Sequence, residues 1–379
     1  MKVAVITLWE NFTNYGQILQ CWALQKAMIE HGDEPYIVRF LPMDRLRKER
    51  QEKLLKVYPL FKVLRNRLLR KRQNIYDKLN STGMKEWALS NIKYSDNEYY
   101  NIRQLRSNPP IADCYVAGSD QIWLQDLRYS DNYAYFLDFG KKEVKRVAYA
   151  PSFGMEEYPK RNIKELERLL KNFDAVSVRE KAGVRICEQC GIKAVNVVDP
   201  TLLLQQEDYL KLIEPLNGNN GGGVFLYNIN IRTPEDIRWQ ELKTLADEKR
   251  LPVLISQGVG FEISNESLGE KEKYKYLTMG QWLAGIKQAR LAVASSFHCV
   301  VFSIIFNTPF VYAPIKGSHS IGNNRALDLM KGLGLENRVL TEDKPYKWYL
   351  ENPIDWESVN KKLQCWREES QNFLFQFLK

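Results

Sequence analysis

The segment 291–312 constrains the fold most strongly, because it joins two short apolar runs through a stretch with helical character. Its first apolar run is typical of a buried strand, and Ser295 and Ser296 favour a helix N-cap. The apolar residues 300–306 fit the helix that follows, and a Thr-Pro pair separates this helix from a second strand-like run. The segment therefore predicts a strand, a helix and a second strand of a parallel sheet.

The same order recurs along the chain. Met1–Trp9 predicts a strand rather than a signal sequence, and a turn around Gly16 leads into a helix that Gly32 ends. Later apolar runs end in turns of small or polar residues, at 111–117, 146–150, 175–178, 195–198, 224–228 and 253–256. A single glycine in the first turn does not satisfy the dinucleotide-binding fingerprint, so the pattern predicts an α/β fold without support for a nicotinamide cofactor.

A chain of 379 residues exceeds what one hydrophobic core usually supports, and its clearest linker is glycine-rich. We expect two Rossmann-like domains facing a cleft. The expected ranges are an N-terminal domain at 1–216, a linker at 217–223, a C-terminal domain at 224–354 and a terminal helix at 355–379.

The net charge of +9 indicates anionic partners, namely a phosphorylated small molecule, an anionic membrane surface or nucleic acid. Much of this charge lies in segment 44–73, which has leucines at helical spacing. It predicts a basic helical insertion that lies on an anionic bilayer, or equally a solvated insertion. No apolar run approaches the ~18 residues of a membrane span, so we expect a cytoplasmic protein that associates at most peripherally with the inner face of the membrane.

Two residues at predicted strand ends are candidates for anion binding. His298 falls in the first turn of the helix predicted after residue 294, and the chain has three histidines. Backbone N–H groups at a helix N-terminus favour anions, and an imidazole there can donate a proton to a bound ligand. The alternative is a hydrogen-bonded structural histidine. Arg179 follows another predicted strand, where its guanidinium fits a carboxylate or a phosphate.

Three further positions have weaker interpretations. Ser119 or Asp120 is predicted to cap a helix after Gly118, and Asp120 has an alternative role as a general base. His319 is predicted to be a surface-loop residue and is a lesser candidate. Cys187 and Cys190 have neither a second cysteine pair nor nearby histidines, so two turn-spaced cysteines of one helix are expected and no metal site.

Taken together, the turns resemble the polysaccharide pyruvyltransferase family. The matching segments, in the family's order, are Asn14-Tyr15-Gly16-Gln17, Ala117-Gly118-Ser119-Asp120-Gln121-Ile122-Trp123, Tyr149-Ala150-Pro151-Ser152-Phe153-Gly154, Ser177-Val178-Arg179-Glu180-Lys181, Asp199-Pro200-Thr201-Leu202-Leu203, and Ser295-Ser296-Phe297-His298 with Phe302-Ser303-Ile304. The chain has Cys299 where the family usually has glycine after the histidine.

The resemblance implies a GT-B-like glycosyltransferase fold, with the acceptor on the N-terminal domain and the donor on the C-terminal domain. It also implies transfer of pyruvate from phosphoenolpyruvate to two hydroxyls of one sugar as a cyclic ketal. It places the protein in the synthesis of cell-surface glycans such as capsule or exopolysaccharide, with an acceptor that is free or lipid-linked. No metal, nucleotide or other cofactor is expected beyond phosphoenolpyruvate as co-substrate.

The expected roles follow from this chemistry. His298 is predicted to be the general acid or a phosphate ligand, and Arg179 is predicted to hold the donor's anionic groups. The other donor-side predictions are Ser295, Ser296, Phe297 and Arg325. Asp120 is the candidate base, and the acceptor-side predictions are Asn14, Tyr15, Gly16, Gln17, Gly118 and Ser119.

Two other functions stay open at this point. A GT-B glycosyltransferase that uses a nucleotide-sugar would need a partner for the base and ribose, often a glutamate. A module that binds nucleic acid or another anionic polymer would explain the basic segment, but the chain shows no known nucleic-acid motif, so nucleic acid is not expected.

Overall fold

The computed structural model describes residues 1–42, 82–124, 127–216, 222–231, 233–256, 268 and 273–379. The predicted basic insertion at 44–73 lies outside these ranges, as does most of the predicted linker. For Tyr274, Ser318, His319 and Ile321 the backbone alone is described.

Seven parallel strands form the first sheet, in the order β3-β2-β1-β4-β5-β6-β7. Helices cover both faces of the sheet, so alternate side chains of β1 pack into two different hydrophobic cores, one on each face. This arrangement explains why the strand is a continuous apolar run in the sequence. The strands are β1 (Lys2–Ile6), β2 (Glu34–Phe40), β3 (Tyr94–Tyr99), β4 (Cys114–Ala117), β5 (Lys145–Ala148), β6 (Ala175–Val178) and β7 (Ala194–Asn196).

The helices of this half include the predicted first helix. Asn14 caps it, since its side chain accepts a hydrogen bond from the Gln17 backbone N–H, and Gly32 ends it in the left-handed conformation with φ 98°. The prediction of this helix and its C-cap is confirmed. The helices are α1 (Tyr15–His31), α2 (Met84–Asn91), α3 (Ile102–Ser107), α4 (Ile163–Leu170), α5 (Lys181–Gln189) and α6 (Gln206–Leu210).

Five parallel strands form the second sheet, in the order β10-β9-β8-β11-β12. The predicted strand–helix–strand unit at 291–312 is confirmed as β11, α9 and β12. The strands are β8 (Val224–Tyr227), β9 (Val253–Ser256), β10 (Tyr274–Lys275), β11 (Leu291–Ala294) and β12 (Phe310–Tyr312), and the helices are α7 (Trp239–Glu248), α8 (Met279–Gln288), α9 (Phe297–Ile305), α10 (Asn324–Leu333), α11 (Tyr346–Glu351) and α12 (Trp356–Gln376).

Contacts of α1 and α12 are among those that join the halves. Tyr15 of α1 stacks on Trp282 of α8 with ring centroids 4.9 Å apart, and its hydroxyl donates to the Leu277 carbonyl at 2.7 Å. Helix α12 returns to the first half, where Ser370 accepts from the Val198 N–H at 3.0 Å. One continuous core therefore runs through both halves.

The order of each sheet reverses direction once at its centre, between β1 and β4 in the first sheet and between β8 and β11 in the second. Ligands of open α/β sheets bind at such switch points, outside the carboxyl ends of the strands. Within the described part of the chain, no helix is both long and apolar enough to cross a membrane.

Candidate active site

One cavity of about 290 Å³ lies where the two switch points face each other. The loops after β1 and β4 line one side, and the loops after β8 and β11 line the other. The lining residues are Leu8, Asn11, Thr13, Asn14, Gln17, Asp120, Gln121, Tyr227, Ile229, Asn230, Ser296, Phe297, His298 and Arg325. Both halves therefore contribute polar side chains to a single concave site.

Asp120 occupies the floor of this cavity in a strained backbone conformation, with φ 74°. Its carboxylate accepts hydrogen bonds from the Gln121 backbone N–H at 2.8 Å and from Gln17 Nε2 at 3.4 Å. The predicted capping role of Ser119 or Asp120 is wrong, because residues 118–124 contain turns and bends in place of a helix. The turn instead aims the Asp120 carboxylate at the cavity.

Arg179 lies behind the cavity wall, and its side chain is only 2% exposed. Its Nη1 donates to Asp199 Oδ2 at 2.7 Å, and its Nη2 lies 3.8 Å from Asp120 Oδ1. Asp199 is fully buried and fixed further by Thr201, whose backbone N–H donates to Oδ1 at 3.0 Å. Arg179 is therefore held rigidly by carboxylates and reaches the cavity only through them.

Arg325 supplies the guanidinium that lines the cavity, with its side chain 14% exposed. Its Nη1 lies 3.9 Å from Asp120 Oδ1, which is too long for a hydrogen bond. The Phe297 ring packs against both arginines, with its centroid 4.7 Å from Cζ of Arg179 and 5.8 Å from Cζ of Arg325. The predicted position of Arg325, at a helix start facing the cleft, is confirmed.

His298 lies in the first turn of α9, as the sequence predicts, and it lines the cavity. Its Nε2 is buried and lies 3.7 Å from Asp199 Oδ2, the oxygen that also accepts from Arg179. Ser296 is the N-cap residue of α9, although its side chain forms no capping hydrogen bond. The imidazole and the guanidinium of Arg179 thus share one buried carboxylate.

The electrostatics of the cluster follow from burial opposed by charge. Burial raises the pKa of Asp199, but His298 and Arg179 more than offset it and hold that pKa well below its usual range. Burial likewise raises the pKa of Asp120, and the charges of Arg179 and Arg325 bring it below its ordinary value. Burial, followed by the charge of Arg179, lowers the pKa of Arg325, and the carboxylates of Asp120 and Glu180 offset this only in part.

Six of the thirteen predicted site residues, including Arg179, do not line the cavity. Tyr15 is fully buried between the two halves, and Gly16 packs against the ring of His298. Gly118 packs against Val5, and Ser119 donates to the Ala150 carbonyl at 3.0 Å. On the donor side, the Ser295 hydroxyl donates to the Ile229 carbonyl at 2.8 Å, which ties the loops after β8 and β11 together. These residues shape the site, whereas Asn14, Gln17 and Asp120 face it.

Two buried carboxylates of the site were not singled out from the sequence. Asp199 and Glu180 each follow a strand, and each lies within a segment quoted for the family resemblance. Glu180 Oε1 lies 4.0 Å from Nε of Arg179 and also pairs with the Ser152 hydroxyl. An acidic residue directly after an apolar run was the available signal, because a buried carboxylate needs a cationic partner nearby.

The cysteine that departs from the family pattern does not face the site. Cys299 is fully buried in the core, and burial raises the pKa of its thiol. Its side chain therefore does not narrow the cavity. Cys187 lies in the last turn of α5 and Cys190 is its C-cap residue, close to the predicted placement of both on one helix, and both thiols are free and buried.

Solved structures with a similar fold are GT-B-type epimerases and glycosyltransferases. One is UDP-N-acetylglucosamine 2-epimerase from Rickettsia bellii, with a TM-score of 0.54 and 11% identity over 99% of this chain and 96% of that one. Another is UDP-GlcNAc 2-epimerase from Methanocaldococcus jannaschii, with a TM-score of 0.47 and 11% identity over 96% and 92%. The match to the Rickettsia bellii structure shows that the two parallel sheets with facing switch points form a GT-B-type fold, as predicted.

The sequence itself gives the family. The model of the polysaccharide pyruvyl transferase family matches residues 14–314, which is most of the chain and includes every residue that lines the cavity except Leu8, Asn11, Thr13 and Arg325. The chain belongs to this family. Comparison with curated proteins finds no match.

Proposed function

We propose that this protein transfers pyruvate from phosphoenolpyruvate to two hydroxyls of one sugar, forming a cyclic ketal and releasing phosphate. Membership of the polysaccharide pyruvyl transferase family supports the group transferred. The choice of phosphoenolpyruvate as donor depends on one observation. Arg325, His298 and the N-terminus of α9 all line one small cavity.

The charges of the cavity suit a small, multiply charged anion. Arg325 has Nη groups directed at the cavity, where Asp120 is their nearest anionic group, at 3.9 Å. The N–H groups at the start of α9 add a partial positive charge on the same side. Phosphoenolpyruvate carries a phosphate and a carboxylate, so one group can bind the helix N-terminus while Arg325 binds the other.

The proposed reaction begins with proton transfer to the methylene carbon of the donor. His298 donates this proton, C2 takes on oxocarbenium character, and a sugar hydroxyl oxygen forms a bond to it. The C2–O bond to phosphate then breaks, and a second hydroxyl oxygen closes the ketal. Of the two hydroxyl protons released, one restores the imidazolium and the other leaves with the phosphate.

The acceptor lies on the side of the first half in this proposal. Asn14 and Gln17, at the start of α1, face the cavity together with Asp120. The Asp120 carboxylate is kept ionised by the two arginines, so it can accept a proton from a sugar hydroxyl. The strained turn at Asp120 is consistent with a residue held in place for chemistry.

The size of the cavity bears on the alternative of a nucleotide-sugar donor. Its volume of about 290 Å³ lies at the lower end of the range for small-molecule sites, which fits a three-carbon phosphate ester better than a nucleotide-sugar. A thermal shift experiment separates the two, because only a ligand of the native state raises the melting temperature. Stabilisation by UDP-sugars and none by phosphoenolpyruvate would favour the alternative.

The direct test measures phosphate release from phosphoenolpyruvate in the presence of simple pyranosides, with mass spectrometry of the sugar product. We expect a product heavier by pyruvate less water. His298→Gln should lower turnover by about 100-fold or more, the usual contribution of a general acid. His31→Gln is the matched control, because His31 stacks on Phe375 away from the cavity. Equal activity of the His298 variant and the wild type would refute the assignment.

A further inference from the structure

The imidazole of His298 rests against a helix of the opposite half of the molecule. A methyl group placed on Gly16 of α1 would lie 2.1 Å from Nδ1 of His298, far closer than any real contact. Gly16 is a helical residue with an ordinary backbone conformation, so no turn requires glycine there. The absent side chain therefore makes room for the Nδ1 edge of this ring.

The opposite edge of the ring is closed by Asp199. Nε2 is buried, lies 3.7 Å from Asp199 Oδ2, and has no closer hydrogen-bond partner among the described residues. Asp199 is itself fixed by Arg179 at 2.7 Å, by the Ser119 hydroxyl at 3.1 Å and by Thr201. A carboxylate held so firmly places its remaining negative charge beside Nε2.

We propose that His298 acts through Nδ1, with Asp199 keeping the proton on Nε2 and Gly16 leaving Nδ1 open to the cavity. Asp199 and Gly16 are then positioning residues for the proton transfer. Because the ring lines the cavity while Nε2 is sealed, Nδ1 is the nitrogen that can reach a ligand. The charged groups around the ring are Asp199, Arg179 and Asp120, and Asp199 is the nearest.

This proton transfer rests on the proposed function, in which His298 protonates the methylene carbon of phosphoenolpyruvate. The Nδ1–H bond of the imidazolium breaks, and a C–H bond forms at the methylene carbon of phosphoenolpyruvate. The electron pair of the N–H bond stays on Nδ1, and the alkene pair forms the new C–H bond. The neutral imidazole retains its proton on Nε2, where the Asp199 carboxylate stabilises it.

The tautomer can be measured without any substrate. The chain has three histidines, so the imidazole nitrogens of ¹⁵N-histidine protein give few signals, and His31→Gln and His319→Gln assign them. We expect neutral His298 to carry its proton on Nε2, and Asp199→Asn to shift the population toward the Nδ1–H form. A neutral His298 that already carries its proton on Nδ1 would overturn the proposal. The phosphate-release assay tests the proposed reaction independently, so this result would overturn the role of Nδ1 without deciding whether the reaction occurs.

The role of Gly16 is tested by Gly16→Ala, which should lower turnover per folded molecule by about 100-fold, because the methyl group displaces the His298 ring. The matched control is Gly285→Ala in α8, where a methyl group would lie 2.5 Å from the Phe225 ring, away from the cavity. We expect the control to lower the melting temperature and to keep turnover per folded molecule. Full turnover of Gly16→Ala, or an equal loss in the control, contradicts the proposal.

Discussion

Asp199 shows how one side chain can serve both halves of the molecule. Its Oδ2 accepts from Arg179 at 2.7 Å and faces Nε2 of His298 at 3.7 Å, although the two partners come from different sheets. A buried carboxylate is stable only when nearby cations and hydrogen-bond donors replace the lost water. Asp199 therefore makes the charge of Arg179 and the position of His298 depend on each other.

Glu180 is the buried carboxylate whose charge is least well compensated. Burial raises the pKa of Glu180, and the charge of Arg179 offsets this effect only in part. The native state therefore holds this proton more tightly than the unfolded chain, whose glutamates titrate near about pH 4.3. The contribution of Glu180 to the free energy of unfolding is full below that pH and is lost as the pH rises through the higher pKa of the folded state.

Glu180→Gln keeps a neutral group beside Ser152 and removes this titration. The pKa of glutamate in the unfolded chain is about 4.3. We expect the free energy of unfolding of the variant to fall less than that of the wild type between that pH and neutral pH. Chemical denaturation across that pH range measures the difference. Glu165→Gln is the control, because Arg168 lowers the pKa of this half-buried glutamate and its effect has the opposite sign. Parallel pH profiles for Glu180→Gln and the wild type would contradict this account.

For single residues, the sequence predicted which side chains could bind a ligand better than it predicted how deeply they are buried. His298 and Arg325 face the cavity as predicted, since a helix start after a parallel strand points at the ligand side of the sheet. Arg179 was predicted to hold the donor's anionic groups, yet its side chain is buried behind the cavity wall. Burial of a charge depends on partners distant in sequence, here Asp120 and Asp199, and local pattern does not reveal such pairs.

At the level of elements, helix α1 does more than connect two strands. Its first turn places Asn14 and Gln17 at the cavity, Gly16 against His298, and Tyr15 between the halves. The predicted acceptor-binding role of Tyr15 does not fit this position, since its hydroxyl donates to the Leu277 carbonyl. Successive side chains of a helix point about 100° apart. Residues of one turn can therefore point to different places, some to the cavity and others to the packing between the halves.

Tyr15→Phe tests this separation. The variant keeps the ring stacked on Trp282 but leaves the buried Leu277 carbonyl without its donor, which should cost about 1–3 kcal/mol of unfolding free energy. We expect the KM for the sugar acceptor to stay unchanged. The comparison is Gln17→Ala, which removes a cavity-lining side chain and should raise that KM. A raised KM for Tyr15→Phe at wild-type stability would restore the sugar-binding interpretation.

The strands and helices themselves were largely predictable. Short apolar runs bounded by small residues became parallel strands, and β11, α9 and β12 match the expected unit. The turn after β4 was predicted as a helix start and is not one, because Asp120 takes up a left-handed conformation and pairs with Pro151 of the neighbouring loop. Serine and aspartate are common both at helix N-caps and in turns, so the residue types at 118–120 do not show which of the two structures forms.

For the whole molecule, the central feature is that two sheets present their switch points to one cavity. Pairing of the halves through Tyr15 and α12 closes this cavity with residues from both sides. The order of strands within each sheet could not be read from the sequence, because parallel pairing depends on contacts far apart along the chain. The resemblance to one family supplied the architecture that local patterns did not.

The account depends most on Arg325 and His298 holding a small dianionic donor at the start of α9. Calorimetric titration with phosphoenolpyruvate tests this directly, with Arg325→Met as the variant and Arg168→Met as the control, since Arg168 pairs with Glu165 far from the cavity. We predict that the wild type and Arg168→Met bind alike and that Arg325→Met binds at least about tenfold more weakly, as expected for the loss of one charged pair. Equal affinity in all three proteins, or no binding by the wild type, would contradict the account.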